Sequence, residues 1–258
     1  MATSPALLAH LFTIERKDTH SMDIGKAFGF VTEDEKWISK VLIGGLVLLV
    51  PIVNFALFGY ALKVAENVAR GDARPLPEWS EFGDLFMRGL YFVIISVVYQ
   101  LPTFILYCVL IAIVGGAAAA LENNPDSASG GAFALLLCLY PLIFILAIVG
   151  GVLSYIAAAR YIAKGTLAEA FKFGEVFATL RNNLGKWVIF FLVVILAGIV
   201  GQLGIIACGI GVLFTGAYAY FVIGHALGQT MIQTGMVPNT MSSYSPPTTP
   251  LDPPPAYQ

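Results

Sequence analysis

The chain has 258 residues, of which 58% are hydrophobic and only 12% are charged, and its mean hydropathy is +0.81. Soluble domains carry about 25% charged residues, so this composition excludes a soluble globular fold and makes lipid the solvent for most of the chain. The net charge of −2 argues against nucleic acid as a partner.

Residues 1–22 are interpreted as an N-terminal leader, residues 23–235 as a helical membrane domain and residues 236–258 as a disordered, proline-rich cytoplasmic tail. The leader has a short apolar patch with no basic residue before it and no small-residue cleavage site after it. It therefore does not resemble a cleavable signal peptide, and Met22 is a second candidate for the first residue.

The first apolar run extends from Val41 to Leu62 and is interrupted by Pro51-Ile52-Val53-Asn54. Proline and asparagine at such a place either kink one long helix or turn the chain back. The second alternative predicts two short helices, about Ile38–Val50 and Phe55–Gly71. Their lengths of roughly 20 and 25 Å fall short of a hydrocarbon layer of about 30 Å, so we expect a short or re-entrant hairpin.

Two charge-free runs, Gly89–Leu121 and Ser127–Ala159, flank a short acidic loop in the middle of the chain. Runs of this length predict a membrane-spanning helical hairpin, and Pro102 and Pro141 inside them predict kinks.

The last apolar block, about Trp187–Gln233, carries no charge and is long enough for two crossings, with a turn in the glycine-rich stretch Gly201–Gly211. Amphipathic segments over residues 82–88 and 171–180 precede the second and third hairpins and are expected at the membrane interface. The sequence thus predicts an all-α polytopic membrane protein. It would have about six membrane helices in three hairpins, the first pair short or re-entrant, with interfacial helices between them.

A weak internal repeat accompanies this division. The repeated unit is predicted to be a surface helix followed by a helix pair. Two patterns recur. The five residues that begin at Phe82 resemble the five that begin at Phe173. Likewise, Gly59-Tyr60 with Gly71 after it resembles Ser154-Tyr155 with Gly165 after it.

Charge predicts the orientation. Three hairpins place all 14 Lys and Arg residues on one side of the membrane and only Glu122 and Asp126 on the other. If the first apolar run instead crossed the membrane once, as one long helix, five basic residues would lie on one side and nine on the other. Because basic segments stay in the cytoplasm, the three-hairpin layout is preferred, with both termini cytoplasmic in an inner (plasma) membrane.

Polar residues within the apolar runs are the candidates for a polar pathway: Asn54, Gln100, Gln202, His225 and Gln229. Near the cytoplasmic end, His225 is more often a hydrogen-bonded histidine than a ligand. The runs contain no Asp, Glu, Lys or Arg, and no acid/base pair, phosphate loop or metal-ligand spacing is present, so we expect no enzyme, catalytic residue, metal or cofactor.

The cysteines, Cys108, Cys138 and Cys208, all lie in apolar runs without paired spacing, which argues against a disulfide framework or a zinc site. Small residues at four-residue spacing predict close helix packing, within the bundle or in a homo-oligomer. They include Gly116, Gly150, Ser154, Gly224 and Gly228.

The tail is rich in Pro, Ser and Thr and cannot build a core. Its end, Pro254-Pro255-Ala256-Tyr257, resembles the Pro-Pro-x-Tyr ligand of WW domains. Pro254, Pro255 and Tyr257 therefore form a candidate docking motif for a protein partner, the alternative being a plain solvated tail.

Several short segments resemble a family of prokaryotic membrane proteins catalogued only as domain of unknown function four-zero-one-three. They are Asp23–Phe28, Leu42–Leu46, Val50–Phe55, Arg70-Gly71 with Pro77-Glu78-Trp79, and Leu227-Gly228-Gln229. The resemblance implies a bacterial or archaeal multi-span protein, makes a eukaryotic WW partner less expected, and brings no activity or functional residues.

These observations favour a non-enzymatic membrane scaffold or protein-interaction component. The alternative is a transporter or permease component for a small uncharged or apolar solute, as repeated hairpins and proline-interrupted helices occur in transporters. A continuous polar cavity touching Gln100 and Gln202 would favour transport, and a packed, dry bundle would favour the scaffold.

Overall fold

The computed structural model describes residues 22–123, 129–206 and 209–238, and these residues contain helices and connecting turns but no strand. The leader up to residue 21 and the tail from residue 239, with Pro254, Pro255 and Tyr257, lie outside the described residues. Within this part the chain is an all-α bundle, as predicted. Its α-helices are α1 (Ile24–Gly29), α2 (Trp37–Leu49), α3 (Phe55–Arg70), α4 (Phe82–Asn123), α5 (Ser129–Lys164), α6 (Phe173–Asn182), α7 (Leu184–Leu203) and α8 (Gly211–Gln233).

Short 3₁₀ helices complete the connections between these elements. They span Phe30–Glu33, Trp79–Glu81, Leu167–Phe171 and Gly204–Ile206.

The first hairpin forms as predicted, with the chain turning at residues 50–54. Its helices α2 and α3 have 13 and 16 residues, about 20 and 24 Å, and their bounds match the predicted ones to within a residue. The two helices differ in character, since α2 is apolar whereas α3 carries Lys63, Glu66 and Arg70 in its last turns.

Among the described residues, four helices are long and apolar enough to cross a membrane. They are Trp79–Gly116 (α4 with its preceding turn), Leu139–Lys164 (within α5), α7 with its following turn, and α8. The helix α4 has 42 residues, about 63 Å, which is twice the thickness of a hydrocarbon layer. The amphipathic segment 82–88 is not a separate interfacial helix. It forms the first turns of α4, because no proline or glycine turn interrupts the chain before the apolar run.

Glycines allow α3 to lie against both α4 and α8. A Cβ atom at Gly59 would lie 1.7 Å from the carbonyl oxygen of Leu85, and one at Gly89 would lie 1.7 Å from that of Phe55. These two contacts run in opposite directions, so α3 and α4 are antiparallel and their backbones touch. On the other side of α3, a Cβ at Gly224 would lie 2.4 Å from the Ala61 oxygen.

Aromatic rings fill the space where α3 meets the rest of the bundle. The buried ring of Tyr60 stacks between Trp79 and Phe221, with ring centroids 4.6 and 4.4 Å away. The Tyr60 hydroxyl donates a 2.9 Å hydrogen bond to the Pro77 carbonyl, so this ring also fastens the linker that leads into α4.

Candidate functional site

One end of the bundle gathers the ion pairs of the described chain. Hydrogen bonds and ion pairs join its four segments, residues 22–40, 63–88, 160–186 and 229–238. We call this the charged end. Clefts and buried ion pairs are both found here, so it is the candidate functional site.

The first cleft at the charged end has a volume of about 470 Å³ and lies between α1, the end of α3 and the end of α8. Its polar lining combines both signs of charge with amides and one histidine. These side chains belong to Asp23, Lys26, Glu33, Asp72, His225, Gln229 and Gln233.

Two predicted polar residues, His225 and Gln229, lie in this cleft and hold α1 on the bundle. The Gln229 carboxamide accepts a 2.8 Å hydrogen bond from the Asp23 backbone N–H and donates one of 3.0 Å to the Asp23 carbonyl. Its nitrogen also lies 3.1 Å from Nδ1 of His225. The His225 ring is 3% exposed and packs on Phe30 at a centroid distance of 4.3 Å. Both side chains are thus occupied within the fold.

A buried carboxylate, Glu66, ties α3 to α4 at the charged end. It accepts a 2.7 Å hydrogen bond from Arg88 on α4 and a further one from Arg70, and the Lys63 ammonium lies 3.8 Å away. Arg88 also donates to Asp84 at 2.6 Å. The only signal for this cluster in the sequence is the helical spacing of Glu66 from its neighbours on α3, whereas Arg88 is brought to it by the tertiary fold.

A second cleft, of about 390 Å³, lies between the ends of α5 and α8 and the helix α6. Arg160 on its wall binds the carboxylates of both Glu169 and Glu175. The Lys172 ammonium lies 2.6 Å from Glu169, and its hydrogen bond and charge hold the pKa of that carboxyl below its usual range. The pKa of Lys172 is raised in return. The rest of the lining is formed by Ala163, Lys164, Ala178, Thr179, Asn182, Asn183 and Thr234–Val237.

The other three predicted polar residues lie apart from each other. Gln100 donates a 3.1 Å hydrogen bond to the Ala147 carbonyl, which links α4 to α5. Gln202 is exposed on the outer side of α7 in an open, mostly apolar groove. Asn54 precedes α3, and its buried Oδ1 has no hydrogen-bond partner among the described residues. These three residues form no common cavity.

The predicted small residues fall into two groups. Gly150, Gly224 and Gly228 lie at close contacts, since a Cβ at Gly150 would be 2.6 Å from Oε1 of Gln100 and one at Gly228 would be 2.7 Å from the Ala65 oxygen. Buried Ser154 donates a 2.8 Å hydrogen bond to the Gly150 carbonyl within α5. Around Gly116 there is open space, so no helix of the described chain packs on it.

Between the helices α3, α4, α5 and α8 lies a pocket of only about 10 Å³. One water molecule needs about 10–15 Å³, so this space holds one at most. It is lined by apolar side chains and the rings of Phe58, Phe92, Tyr155 and Tyr220. In the described residues, no group of three or more His, Cys, Asp or Glu side chains is placed to hold a metal ion.

Comparison with known proteins gives one match. The model of a family described as protein of unknown function (DUF4013) matches residues 42–210, well over half of the chain. Comparisons with curated proteins and with solved structures give no match.

Proposed function

The chain belongs to the DUF4013 family of proteins of unknown function, and from its own geometry we propose that it is a non-enzymatic membrane scaffold. In this proposal the bundle organises lipid or partner proteins and lies in an inner (plasma) membrane with both termini cytoplasmic. The charged end then faces the cytoplasm, in agreement with the preference of Lys and Arg for that side.

The packed interior carries this proposal. A solute pathway through the membrane needs a polar or water-filled cavity at depth. The pocket between α3, α4, α5 and α8 has about 10 Å³ and an aromatic and aliphatic lining. A small solute does not fit there. A rigid bundle whose charged end is free to contact lipid or protein suits a scaffold.

A transporter or permease component for a small uncharged or apolar solute is the second candidate. Pro102 and Pro141 inside spanning helices favour it, because interrupted helices form many transport sites. The positions of Gln100 and Gln202 favour the scaffold, because one bonds the neighbouring helix and the other faces outward.

The experiment that separates the two candidates measures access of water to the interior. Ala61 lines the pocket between these helices and is 7% exposed, so Ala61→Cys is the interior probe, in a background with the three native cysteines replaced by serine. Permeabilised membranes are treated with a small, charged methanethiosulfonate reagent. The scaffold predicts no modification of Ala61→Cys over hours.

The matched control is Ala73→Cys, the same substitution at an exposed position of the first cleft, which is expected to react within minutes. Modification of Ala61→Cys at a rate within about tenfold of Ala73→Cys would contradict the scaffold and establish a water-filled path. A loss of fold is detected separately, as aggregation of the variant in size-exclusion chromatography.

A further inference from the structure

The helix α6 has an outer face that the packing of the bundle does not explain. Phe173 and Phe177 are 55% and 58% exposed, and exposed Arg181 follows at the same four-residue spacing. These residues therefore share one side of the helix. Three residues after each phenylalanine, at the edge of this face, Val176 is fully buried and Leu180 packs against the core.

This outer face continues the apolar surface of the spanning helices. The Phe173 ring lies 5.3 Å from that of Tyr99, which belongs to the long apolar segment Trp79–Gly116 of α4 and its preceding turn. At its other end, α6 leads into α7, which exposes Leu184 and Val188. Phe173 and Phe177 thus lie where the apolar surface of the bundle meets the charged end.

Charge is distributed unevenly over the charged end. Residues 160–186 contain five basic and two acidic residues, a net charge of +3, whereas residues 22–88 contain seven basic and nine acidic residues, a net charge of −2. The side that carries α6 is therefore the cationic side. An anionic surface would attract this side and repel the other.

Two exposed cations beside α6 are not engaged by carboxylates of the described residues. Arg160 and Lys172 are held by Glu169 and Glu175, but exposed Lys164 and Arg181 pair with no carboxylate of the described residues. Lys164 lies on the wall of the second cleft, which Ala178 and Thr179 of α6 also line. Its charge and that of Arg181 remain available to a ligand outside the bundle.

We propose that α6 and Lys164 form a binding site for an anionic phospholipid of the leaflet that surrounds the charged end. Phe173 and Phe177 enter the boundary of the acyl chains, and Arg181 and Lys164 bind the phosphate group. Each basic residue near an anionic membrane surface favours association roughly fivefold. This inference deepens the proposed function by naming lipid as a partner of the scaffold, and it holds whether or not the interior is dry.

The test uses a fluorescent reporter on α6 of the full chain. In the cysteine-free background, Gly174→Cys is labelled with an NBD maleimide, since a side chain at Gly174 meets open space. The protein is reconstituted into phosphatidylcholine vesicles that contain the same fraction of doxyl-labelled phosphatidylglycerol or doxyl-labelled phosphatidylcholine. Both lipids should quench the reporter. The fraction of doxyl lipid at half-maximal quenching should be at least about fivefold lower for phosphatidylglycerol than for phosphatidylcholine.

Removing the two cations separates the parts of the site. In Lys164→Gln/Arg181→Gln the anionic lipid should quench no better than the zwitterionic one, whose quenching stays unchanged. In Phe173→Ser/Phe177→Ser quenching by both lipids should fall. The matched control is Lys36→Gln/Arg74→Gln, which removes the same charge from exposed positions on the other side and should keep the anionic preference.

Equal quenching by the two lipids in the protein with all its cations would overturn the site. So would an equal loss of preference in Lys36→Gln/Arg74→Gln, because only overall charge would then matter. Neither result bears on modification of Ala61→Cys, so failure of the lipid site and failure of the scaffold are distinguishable.

Discussion

Lys40 is an ammonium group enclosed by the chain, with 4% of the residue exposed. It donates hydrogen bonds of 2.9 Å to the Asp34 carboxylate and 3.0 Å to the Leu76 carbonyl, and Glu78 lies 3.2 Å away. Each of its three protons therefore has an acceptor, which a buried cation requires. Through Lys40 the linker over residues 72–79 is fastened to the first hairpin.

Replacing Lys40 with methionine is expected to destabilise the protein by about 3 kcal/mol, because Asp34 keeps a charge without its partner. The measurement is the unfolding free energy in detergent, from denaturant titration. The control is Arg74→Met, which removes the ion pair with Glu35, a pair whose side chains are 71% and 80% exposed. An exposed pair contributes at most about 1 kcal/mol, so equal losses in the two variants would contradict the role given to Lys40.

The same ion pair has a defined pH dependence. Burial by itself raises the pKa of the Asp34 carboxyl, but hydrogen bonds from Lys40 and from the Lys36 backbone N–H lower it more, to below its ordinary value of 3.8. A carboxyl with a depressed pKa stabilises the fold above the unfolded pKa and loses this contribution as the pH falls through the folded pKa. The difference in stability between the unmodified protein and Lys40→Met should therefore shrink below about pH 4.

Sequence reasoning reached some of these residues and missed others, for a physical reason. Gln229 and His225 stand out because they are polar within an apolar block, and they are four residues apart on one helix. The burial of Lys40 has no such signal. Its acceptors come from Asp34, Leu76 and Glu78, which only the tertiary fold brings together.

Helix bounds were predictable wherever the chain carries local turn chemistry. The turn at Pro51–Asn54 separates α2 from α3 within a residue of the predicted bounds, because proline and asparagine disrupt a helix at that point. The junction at Asn183 between α6 and α7 was not predicted to a residue, as neither proline nor glycine marks it. Nor does local sequence reveal that α4 begins as early as Phe82.

The internal repeat has a counterpart in the backbone. The helices α3, α5 and α8 are each followed by a glycine with positive φ, at Gly71 (82°), Gly165 (75°) and Gly235 (74°). A left-handed glycine is a common way to end a helix, and here all three lie at the charged end. The helices that begin at Phe82 and Phe173 follow the first two of these glycines, in agreement with a repeated unit.

The contact between α3 and α8 depends on a glycine whose replacement should be costly. A Cβ at Gly228 would lie 2.6 Å from Cβ of Val68 and 2.7 Å from the Ala65 oxygen, so Gly228→Leu forces the two helices apart. We expect a loss of about 3 kcal/mol in unfolding free energy, at the upper end of overpacking costs. The measurement is the denaturant titration used for Lys40.

The matched control for this contact is Gly151→Leu on α5, where an added Cβ meets no atom within 4 Å. A substitution at such an outward position should change the unfolding free energy by no more than about 0.5 kcal/mol. Equal stability of Gly228→Leu and Gly151→Leu would mean that α3 and α8 do not approach as closely as described.

At the scale of the whole molecule, the length of α4 limits how much of this helix a membrane can contain. The helix α4 spans about 63 Å against a hydrocarbon layer of about 30 Å, so part of it must lie outside the lipid. Its first turns account for about 10 Å of this excess, since Asp84 and Arg88 bind each other there and Arg88 binds Glu66. The lipid-facing part of α4 therefore begins beyond Arg88.

The arrangement of the charged end makes the sidedness of the protein testable with two residues. Arg74 lies in the linker before α4 and Thr179 lies on α6, far apart in sequence but at the same end of the bundle. If this end is cytoplasmic, single cysteines at both positions in the cysteine-free background should resist an impermeant thiol reagent in intact cells. Both should react after lysis, because these positions are at least partly exposed.

Two further positions, outside the described residues, complete this topology experiment. By charge counting, a cysteine at Ser127 in the acidic loop should be modified from outside, and one at Ser243 in the tail should be protected. Modification of position 74 from outside in intact cells would require a single crossing between Lys40 and Lys63 and leave five membrane helices, in which case position 179 would be modified as well. That result would contradict the three hairpins, because α3 returns the chain to the end from which α2 departs.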